Sequence, residues 1–165
     1  MPRKHPTTIL ALDPGTRELG YAVLSGHRLV TAGALALRLL PKAERGREAR
    51  TRITALVKAH RPGAIVAEKT FRHPVPWLNE LHDLTLFARR QARRFGANFY
   101  AYAPQRVRAT VAGNGKAKKA EVALAIAQRF PALRVYLTQD RRWKERLWLN
   151  MFDALALALH HQSLN

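Results

Sequence analysis

The sequence predicts an α/β fold in which helices flank a mixed five-stranded sheet, organised as one domain over residues 1–165. Two observations predict this class. Apolar stretches with the spacing of strands open the chain, and strand-like and helix-like patterns alternate after them. A length of 165 residues also suits one domain with its own core.

The first half of the chain supplies four of the predicted strands. Apolar residues between Gly-containing turns predict strands at 8–13, 20–25 and 29–37, which form an antiparallel meander because their connections are short. From 41 to 60 the apolar residues have helical spacing, with arginines on the other face. A Pro-Gly break then precedes a short, fully apolar strand at 64–67.

The second half alternates helices with one further strand. Pro74 and Pro76 precede a long helix that ends at Gly96, and a Gly-rich basic turn leads into a later helix. The predicted elements are a helix at 77–95, a strand in "ANFYAYAP", a short helix at 104–110, a helix at 117–130, an irregular stretch at 131–142 and a final helix at 144–161.

Charge is the most conspicuous global feature of the chain. It has 29 Lys and Arg residues against 11 Asp and Glu, which gives a formal net charge of +18. Such a chain repels itself unless a polyanion neutralises it, and nucleic acid is the commonest polyanion in a cell. We therefore interpret the charge as a nucleic-acid-binding feature, with an Arg-rich proteome as the alternative explanation.

Other classes of basic protein fit the composition less well. An apolar content of 47% disfavours a ribosomal-type structural protein, and the lack of a dominant basic amphipathic helix disfavours a binder of anionic membranes. The absence of cysteine excludes disulfides and thiolate metal sites. Because there is no apolar run of about 18 residues and no signal-like N-terminus, we expect a soluble, cytoplasmic protein without a membrane partner.

Three acids occupy positions where a buried charge is costly. Asp13 and Glu68 end apolar strands, and Asp153 lies inside the apolar run "MFDALALAL". If the first and fourth strands are neighbours, their carboxyl ends bring Asp13 and Glu68 to one sheet edge, where Asp153 can join them. Oxygen ligands without cysteine favour Mg²⁺ or Mn²⁺. With the basic surface, these acids predict a metal-dependent enzyme that acts on phosphodiesters.

Each acid also has a plain structural explanation. Asp13, followed by Pro-Gly-Thr, can close an Asx-type turn, and Glu68 can be a surface acid at a strand end. Asp153 has the weakest alternative, because an unpaired acid is rarely tolerated in an apolar helical face. A shared site explains all three positions at once and is the favoured hypothesis.

Four blocks of sequence carry a family resemblance: "ILALDPGTRELGYAVL", "VAEKTF", "YAPQRVRATVAGNGKAKKAEVALAI" and "DALALALHH". In this order and at these separations they resemble the RuvC family of Holliday-junction resolvases, within the RNase H-like nuclease superfamily. The resemblance implies an RNase H-like three-layer domain. It also implies an endodeoxyribonuclease of recombination and repair that resolves four-way DNA junctions and leaves 5′-phosphate and 3′-hydroxyl ends.

The resemblance implies a metal site. The acids of the family fall on Asp13, Glu68 and Asp153, which would hold two Mg²⁺ ions per site, with Asp13 bridging both and Mn²⁺ as a substitute. One position departs from the family pattern, since Asn150 stands where the family usually has another acid, or sometimes histidine, three residues before Asp153. Asn150 would still face the site and offer a neutral oxygen ligand. It can instead only bond Asp153 or a water, or be an inactivating substitution.

The resemblance also implies DNA contacts. A phenylalanine that the family places at the junction crossover falls on Phe71, and its DNA-facing basic residues fall on Arg108 and Lys119. Lys119 would also stabilise charge on the reacting phosphate. Lys116 and Lys118 lie in the same Gly-rich basic turn, and we expect them to contact DNA.

Two rival functions start from the same residues. The Asp-Pro-Gly-Thr turn also resembles the phosphate loop of actin-like and sugar-kinase ATPases, but those proteins need two such lobes and this chain has the length of one. The other rival is a protein that binds branched DNA without cutting it, which Asn150 keeps open. A metal titration with a labelled junction separates cutting from binding.

We also expect a homodimer, because a four-way junction has near two-fold symmetry and must be cut on two opposed strands. The apolar stripe of Leu78, Leu84 and Phe87 on the long helix can pair with its own copy or cover the sheet. His160 and His161 follow the last apolar turn, so we expect them to solvate the helix end or to favour its dipole, and not to act as ligands.

Overall fold

A computed structural model describes residues 7–138 and 142–165 of the chain. Five strands form one sheet, and five α-helices pack on it. The strands are β1 (Thr8–Pro14), β2 (Leu19–Ser25), β3 (Arg28–Leu35), β4 (Ala64–Glu68) and β5 (Asn98–Tyr102). The helices are α1 (Lys42–His60), α2 (Glu80–Arg94), α3 (Pro104–Ala112), α4 (Lys119–Arg129) and α5 (Arg142–Ser163).

The sheet is mixed, with the strand order β3-β2-β1-β4-β5. The first three strands form the predicted antiparallel meander, while β1 pairs with β4, and β4 with β5, in parallel. The predicted α/β class is therefore confirmed, and so is the neighbourhood of the first and fourth strands. This order places the carboxyl ends of β1, β4 and β5 along one edge of the sheet.

Two hydrophobic layers cover the sheet, because side chains alternate between its faces along each strand. Leu10 and Leu12 of β1 face α1 and α2, while Ile9 and Ala11 face the layer formed with α3, α4 and α5. Strand β4 has a buried residue at every position except its last, Glu68, since both of its faces are covered. The break in this apolar pattern falls where the strand reaches the sheet edge.

The main differences from the sequence prediction lie at element ends. The third strand stops at Leu35, and a 3-10 turn over Leu37–Leu39 replaces its predicted end. The long helix begins at Glu80, because a 3-10 turn over Pro76–Leu78 occupies its predicted first turn. A 3-10 segment, Pro131–Tyr136, lies in the stretch predicted as irregular.

The apolar stripe predicted on the long helix does not form a free face. Leu84 is buried in the core beneath the sheet, whereas Leu78 lies in the preceding 3-10 turn and is exposed. Phe87 is partly covered, with the guanidinium groups of Arg50 and Arg90 each 5.9 Å from its ring centroid. The stripe was expected either to pair with its own copy or to cover the sheet, and Leu84 covers the sheet.

Among the described residues, none of the helices combines the length and the apolar character that a bilayer span requires.

Candidate active site

Asp13 and Glu68 lie side by side at the edge of the sheet. The parallel register pairs Leu12 with Ala67, so the next residue of each strand is one of the two acids. The turn after Asp13 is closed by the backbone, because the Gly15 N–H donates to the Glu18 carbonyl at 2.9 Å. The Asx-type turn is therefore not what holds this turn, and the Asp13 carboxylate faces the other acids.

A glycine lets α5 approach the sheet beside Asp13. Gly20 pairs with Asp13 across β1 and β2, and a Cβ at Gly20 would overlap the backbone carbonyl of Asn150. Only a residue without a side chain allows this contact. The crossing fixes the first half of α5 over the acid-bearing edge, and Asp153 lies one helical turn further along.

The three acids repel one another. The pKa of Asp13 is raised well above its ordinary value, first by burial and then by the charges of Asp153 and Glu68. The pKa of Glu68 is raised by burial and by Asp153. Carboxylates gathered in this way favour either a proton or a bound cation. These interactions show that the three acids lie near one another at the carboxyl ends of β1 and β4, as the sequence predicted.

Lys119 is the cation that faces the acids in this structure. Its ammonium group donates a hydrogen bond to Asp153, and the two form an ion pair. Burial lowers the pKa of Lys119, but the attraction of Asp153, Asp13 and Glu68 outweighs it, so the pKa is raised. Over residues 7–138 and 142–165, no three Asp, Glu, His or Cys side chains lie close enough together to hold a metal ion.

A narrow cleft between β4 and the three helices on this face holds the charged groups. Glu68, Arg108, Lys119 and Asp153 line it, together with apolar residues of α3, α4 and α5. Arg108 lowers the pKa of Glu68 by charge attraction, which partly opposes the effect of burial. The cleft therefore pairs carboxylates with two cations, an arrangement that suits a phosphate bridged to metal ions.

The remaining predicted site residues surround this cleft. Asn150 is half-buried, and its Nδ2 donates to the carbonyl of Arg146 at 3.1 Å, one turn back on α5. Lys116 and Lys118 are exposed in the turn that leads into α4. Their charges are thus placed beside Lys119 without lining the cleft itself.

Phe71 lies beyond the strand end that carries Glu68. Its ring is 75% exposed, although it is a large apolar side chain. The Lys69 ammonium lies 5.3 Å from the ring centroid. An exposed aromatic ring beside a cation is the combination that stacks on nucleic-acid bases.

The structure overturns the expectation for two histidines. His160 and His161 are buried, with 5% and 6% of their surface exposed. His160 Nδ1 lies 2.7 Å from the Thr110 hydroxyl, and His161 Nδ1 lies 2.6 Å from the Tyr102 hydroxyl. Solvation at the helix end was wrong because α3 and β5 cover this turn of α5, a tertiary contact that no local pattern indicates.

Two further residues escaped the sequence prediction. Gly20, which controls the approach of α5, sits in a strand pattern, where an isolated glycine is a known sign of close backbone contact. Asn79, just before α2, is 5% exposed and is hydrogen-bonded within the loop that carries Phe71. The sequence prediction placed Asn79 inside the helix at 77–95, so its contacts with the loop were not expected.

Comparisons with known proteins agree with this architecture. A family model described as Crossover junction endodeoxyribonuclease RuvC matches residues 9–161. A protein of that name from Halorhodospira halophila is 33% identical over 168 residues, covering 95% of this chain and 92% of the relative. Another, from Sulfurovum sp., is 31% identical over 159 residues and covers 93% of each chain.

Solved structures show the same fold. "T. thermophilus RuvC in complex with Holliday junction substrate" superposes with a TM-score of 0.70 and 27% identity, covering 94% of this chain and 92% of that one. "Thermus thermophilus RuvC structure" gives a TM-score of 0.68 and 26% identity, covering 93% and 92%. The fold is thus the RNase H-like fold. Because the family model spans each strand and helix that brings an acid to the sheet edge, the chain belongs to the RuvC family of crossover junction endodeoxyribonucleases.

Proposed function

We propose that the chain is a single nuclease domain over residues 1–165 that cuts four-way DNA junctions by metal-dependent phosphodiester hydrolysis. The observation that carries the proposal is the convergence of Asp13, Glu68 and Asp153 on one edge, where the pKa values of Asp13 and Glu68 are raised and Lys119 pairs with Asp153. A net charge of +18 and the solved complex of a family member with a Holliday junction support DNA as the substrate.

The chemistry of the donor atoms suits divalent cations, although within the described residues the acids are not close enough together to hold a metal ion while Lys119 is paired with Asp153. Carboxylates of Asp13, Glu68 and Asp153, with the amide oxygen of Asn150, are hard oxygen ligands, so we propose two Mg²⁺ ions, with Mn²⁺ as a substitute. Divalent ions in such a site supply the activation of water and charge compensation at the departing 3′ oxygen. The Asn150 amide nitrogen is turned to the Arg146 carbonyl, so Oδ1 is its ligand atom.

The basic residues of the cleft have separate tasks. Lys119 stays protonated because its pKa is raised, and on release from Asp153 its ammonium can stabilise charge that develops on the phosphate. Arg108, beside Glu68, binds a phosphate oxygen at the mouth of the cleft. Lys116 and Lys118, exposed in the adjoining turn, hold the flanking DNA backbone.

Binding of the junction follows from its shape and should depend little on the sequence of its arms. Phe71, exposed next to the acid-bearing edge, stacks on bases that are unpaired at the crossover, an interaction worth about 1 to 3 kcal/mol per base. Cutting of two opposed strands requires two copies of the site, so we propose a two-fold homodimer as the working unit.

The experiment that tests this function uses a four-way junction with a 5′ label on each strand in turn. In rising Mg²⁺ we expect paired cuts on two opposed strands, 5′-phosphate ends that a ligase can reseal, and no cutting in a chelator. A linear duplex of equal length should remain intact. Junction binding without cutting across the Mg²⁺ and Mn²⁺ range would instead identify a branched-DNA-binding protein.

A further inference from the structure

One buried side chain organises the loop that carries Phe71. Asn79 uses both ends of its amide: Oδ1 accepts from the His73 N–H at 2.6 Å, and Nδ2 donates to the carbonyls of His73 at 2.8 Å and Val75 at 3.2 Å. The side chain is almost fully enclosed, since Asn79 is 5% exposed. A buried amide is stable only when it is hydrogen-bonded, so this loop shape and the Asn79 side chain require each other.

The start of the same loop is tied down separately. The Lys69 N–H donates to the Tyr102 carbonyl at 2.9 Å, which extends the contact of β4 with β5. The Thr70 hydroxyl lies 3.0 Å from His82 Nδ1 on α2. Thr70, directly before Phe71, is held by His82, and His73, two residues after Phe71, is held by Asn79. The chain is therefore anchored on both sides of Phe71.

Asn79 does not act as the usual cap of α2. Asparagine before a helix normally accepts a hydrogen bond from the first helical turn. Within the described part of the chain, its side chain makes no such bond to α2, and its backbone has helical angles of −92° and 0°. The side chain is committed to the loop, although a cap would stabilise the helix more directly.

An exposed aromatic ring on a fixed loop has an advantage in binding. A flexible loop must lose conformational freedom when its side chain inserts into DNA, and this loss weakens binding. The Asn79 bonds remove much of that freedom before DNA arrives. A ring that is 75% exposed yet held at both sides is suited to a site of contact.

We propose that Asn79 is a positioning residue for junction recognition, which holds the loop in the shape that presents Phe71 to the crossover. This inference rests on the proposed function of Phe71. Asn79 acts through Phe71 and touches neither the acids nor the cleft, so it sets selectivity for junctions over linear duplex and leaves the affinity for duplex unchanged.

The test is a double-mutant cycle on Asn79→Ala and Phe71→Ala, with Asn98→Ala as a matched control at the exposed edge strand. Affinities for a four-way junction and for a linear duplex of equal length are measured for each variant. Fluorescence of 2-aminopurine at the crossover reports base unstacking directly. We expect Asn79→Ala and Phe71→Ala each to lower the junction-to-duplex affinity ratio about tenfold. The double variant should be no worse than Phe71→Ala, and Asn98→Ala should match the wild type.

The outcomes separate this inference from the function on which it rests. The positioning role is overturned if Asn79→Ala leaves the junction-to-duplex affinity ratio unchanged. It is also overturned if the double variant loses the product of the two single losses, because Asn79 and Phe71 would then act independently. In both cases Phe71 keeps its own effect. A wild type that shows no preference for junctions, with Phe71→Ala equal to it, overturns the proposed function. If Asn79→Ala does not fold, Thr70→Val removes the other anchor without changing side-chain size. It should lower the ratio and the 2-aminopurine signal in the same direction, and wild-type values for Thr70→Val would contradict the inference.

Discussion

Helix α5 carries two polar clusters in one apolar stretch, and they are built in opposite ways. At His160 and His161 both imidazoles are buried, each is paired with a hydroxyl group, and both pKa values are lowered, chiefly by burial. Two helical turns earlier, Asp153 faces Asp13 and Glu68, whose pKa values are raised by burial and by like charge.

The difference separates a structural cluster from a functional one. Neutral histidines with satisfied hydrogen bonds stabilise the contacts of α5 with α3 and β5. The acids keep a repulsion that opposes folding, which Lys119 and Arg108 offset only in part. Titratable groups whose pKa values are strongly perturbed occur mainly where a ligand or a reaction needs them. On the proposed function, we assign the acid cluster to DNA cutting and the histidine cluster to the stability of the fold.

The largest expected effect breaks the acid cluster. Asp13→Asn, Glu68→Gln and Asp153→Asn should each reduce junction cutting by orders of magnitude, because each carboxylate balances metal charge. Junction affinity should change little, since basic residues supply it. Single-turnover cutting and equilibrium binding of the same labelled junction measure both quantities. Asp83→Asn, an exposed acid on α2, is the matched control, and wild-type cutting by Asp13→Asn would refute the assignment.

Breaking the histidine cluster should have the opposite profile. Tyr102→Phe removes the hydroxyl group that pairs with His161 and leaves a buried nitrogen without its partner. We expect a loss of about 1 to 3 kcal/mol in the free energy of unfolding. Folded Tyr102→Phe should cut DNA at the wild-type rate. Tyr100→Phe is the control, and it should change neither the cutting rate nor the stability. Chemical denaturation of the three proteins decides this, and a cutting defect in folded Tyr102→Phe would assign the cluster to catalysis.

The two clusters should also respond to pH with opposite signs. Raised carboxyl pKa values mean that the folded state binds more protons, so their contribution to stability falls as pH rises from the ordinary acid range toward the raised values. Lowered histidine pKa values mean that stability is lost as pH falls below their ordinary value of 6.5. Each proton corresponds to about 1.4 kcal/mol per pH unit. The measurement is the free energy of unfolding of the wild type and of Asp13→Asn at a series of pH values between about 4 and 8. We expect the variant to lose only the part of the pH dependence that comes from the acids. The same pH dependence in both proteins would contradict the raised pKa of Asp13.

The smallest expected effect concerns Asn150. Asn150→Asp adds a negative charge next to Asp153 on the acid-facing part of α5, so the Mg²⁺ concentration for half-maximal cutting should fall a few-fold. The same charge should lower the stability of the metal-free protein, because it adds repulsion. A Mg²⁺ titration of the cutting rate measures the first effect. An equal or higher requirement would show that the neutral amide is adapted to this site.

The sequence predicted what depends on local pattern and on burial of charge. The strands that carry Asp13 and Glu68 at or next to their last residue were visible because an apolar run that stops at an acid has few structural explanations. Helix ends shifted where Pro76 favoured a 3-10 turn over an α-helical start. The burial of His160 and the loop contacts of Asn79 depend on residues that are distant in the chain or on a turn without regular spacing. Periodicity carries no information about such contacts.

On the proposed function, a divalent cation completes the acid cluster by neutralising the repulsion among its carboxylates. Thermal unfolding of the DNA-free, chelator-treated protein in rising Mn²⁺ tests this claim without any cutting reaction. We expect the unfolding midpoint of the wild type to rise with Mn²⁺, because a ligand of the folded state stabilises it. Asp13→Asn should start at an equal or higher midpoint, since it removes repulsion, and should gain much less from the metal. An equal rise in both proteins, or no rise in the wild type, would contradict it.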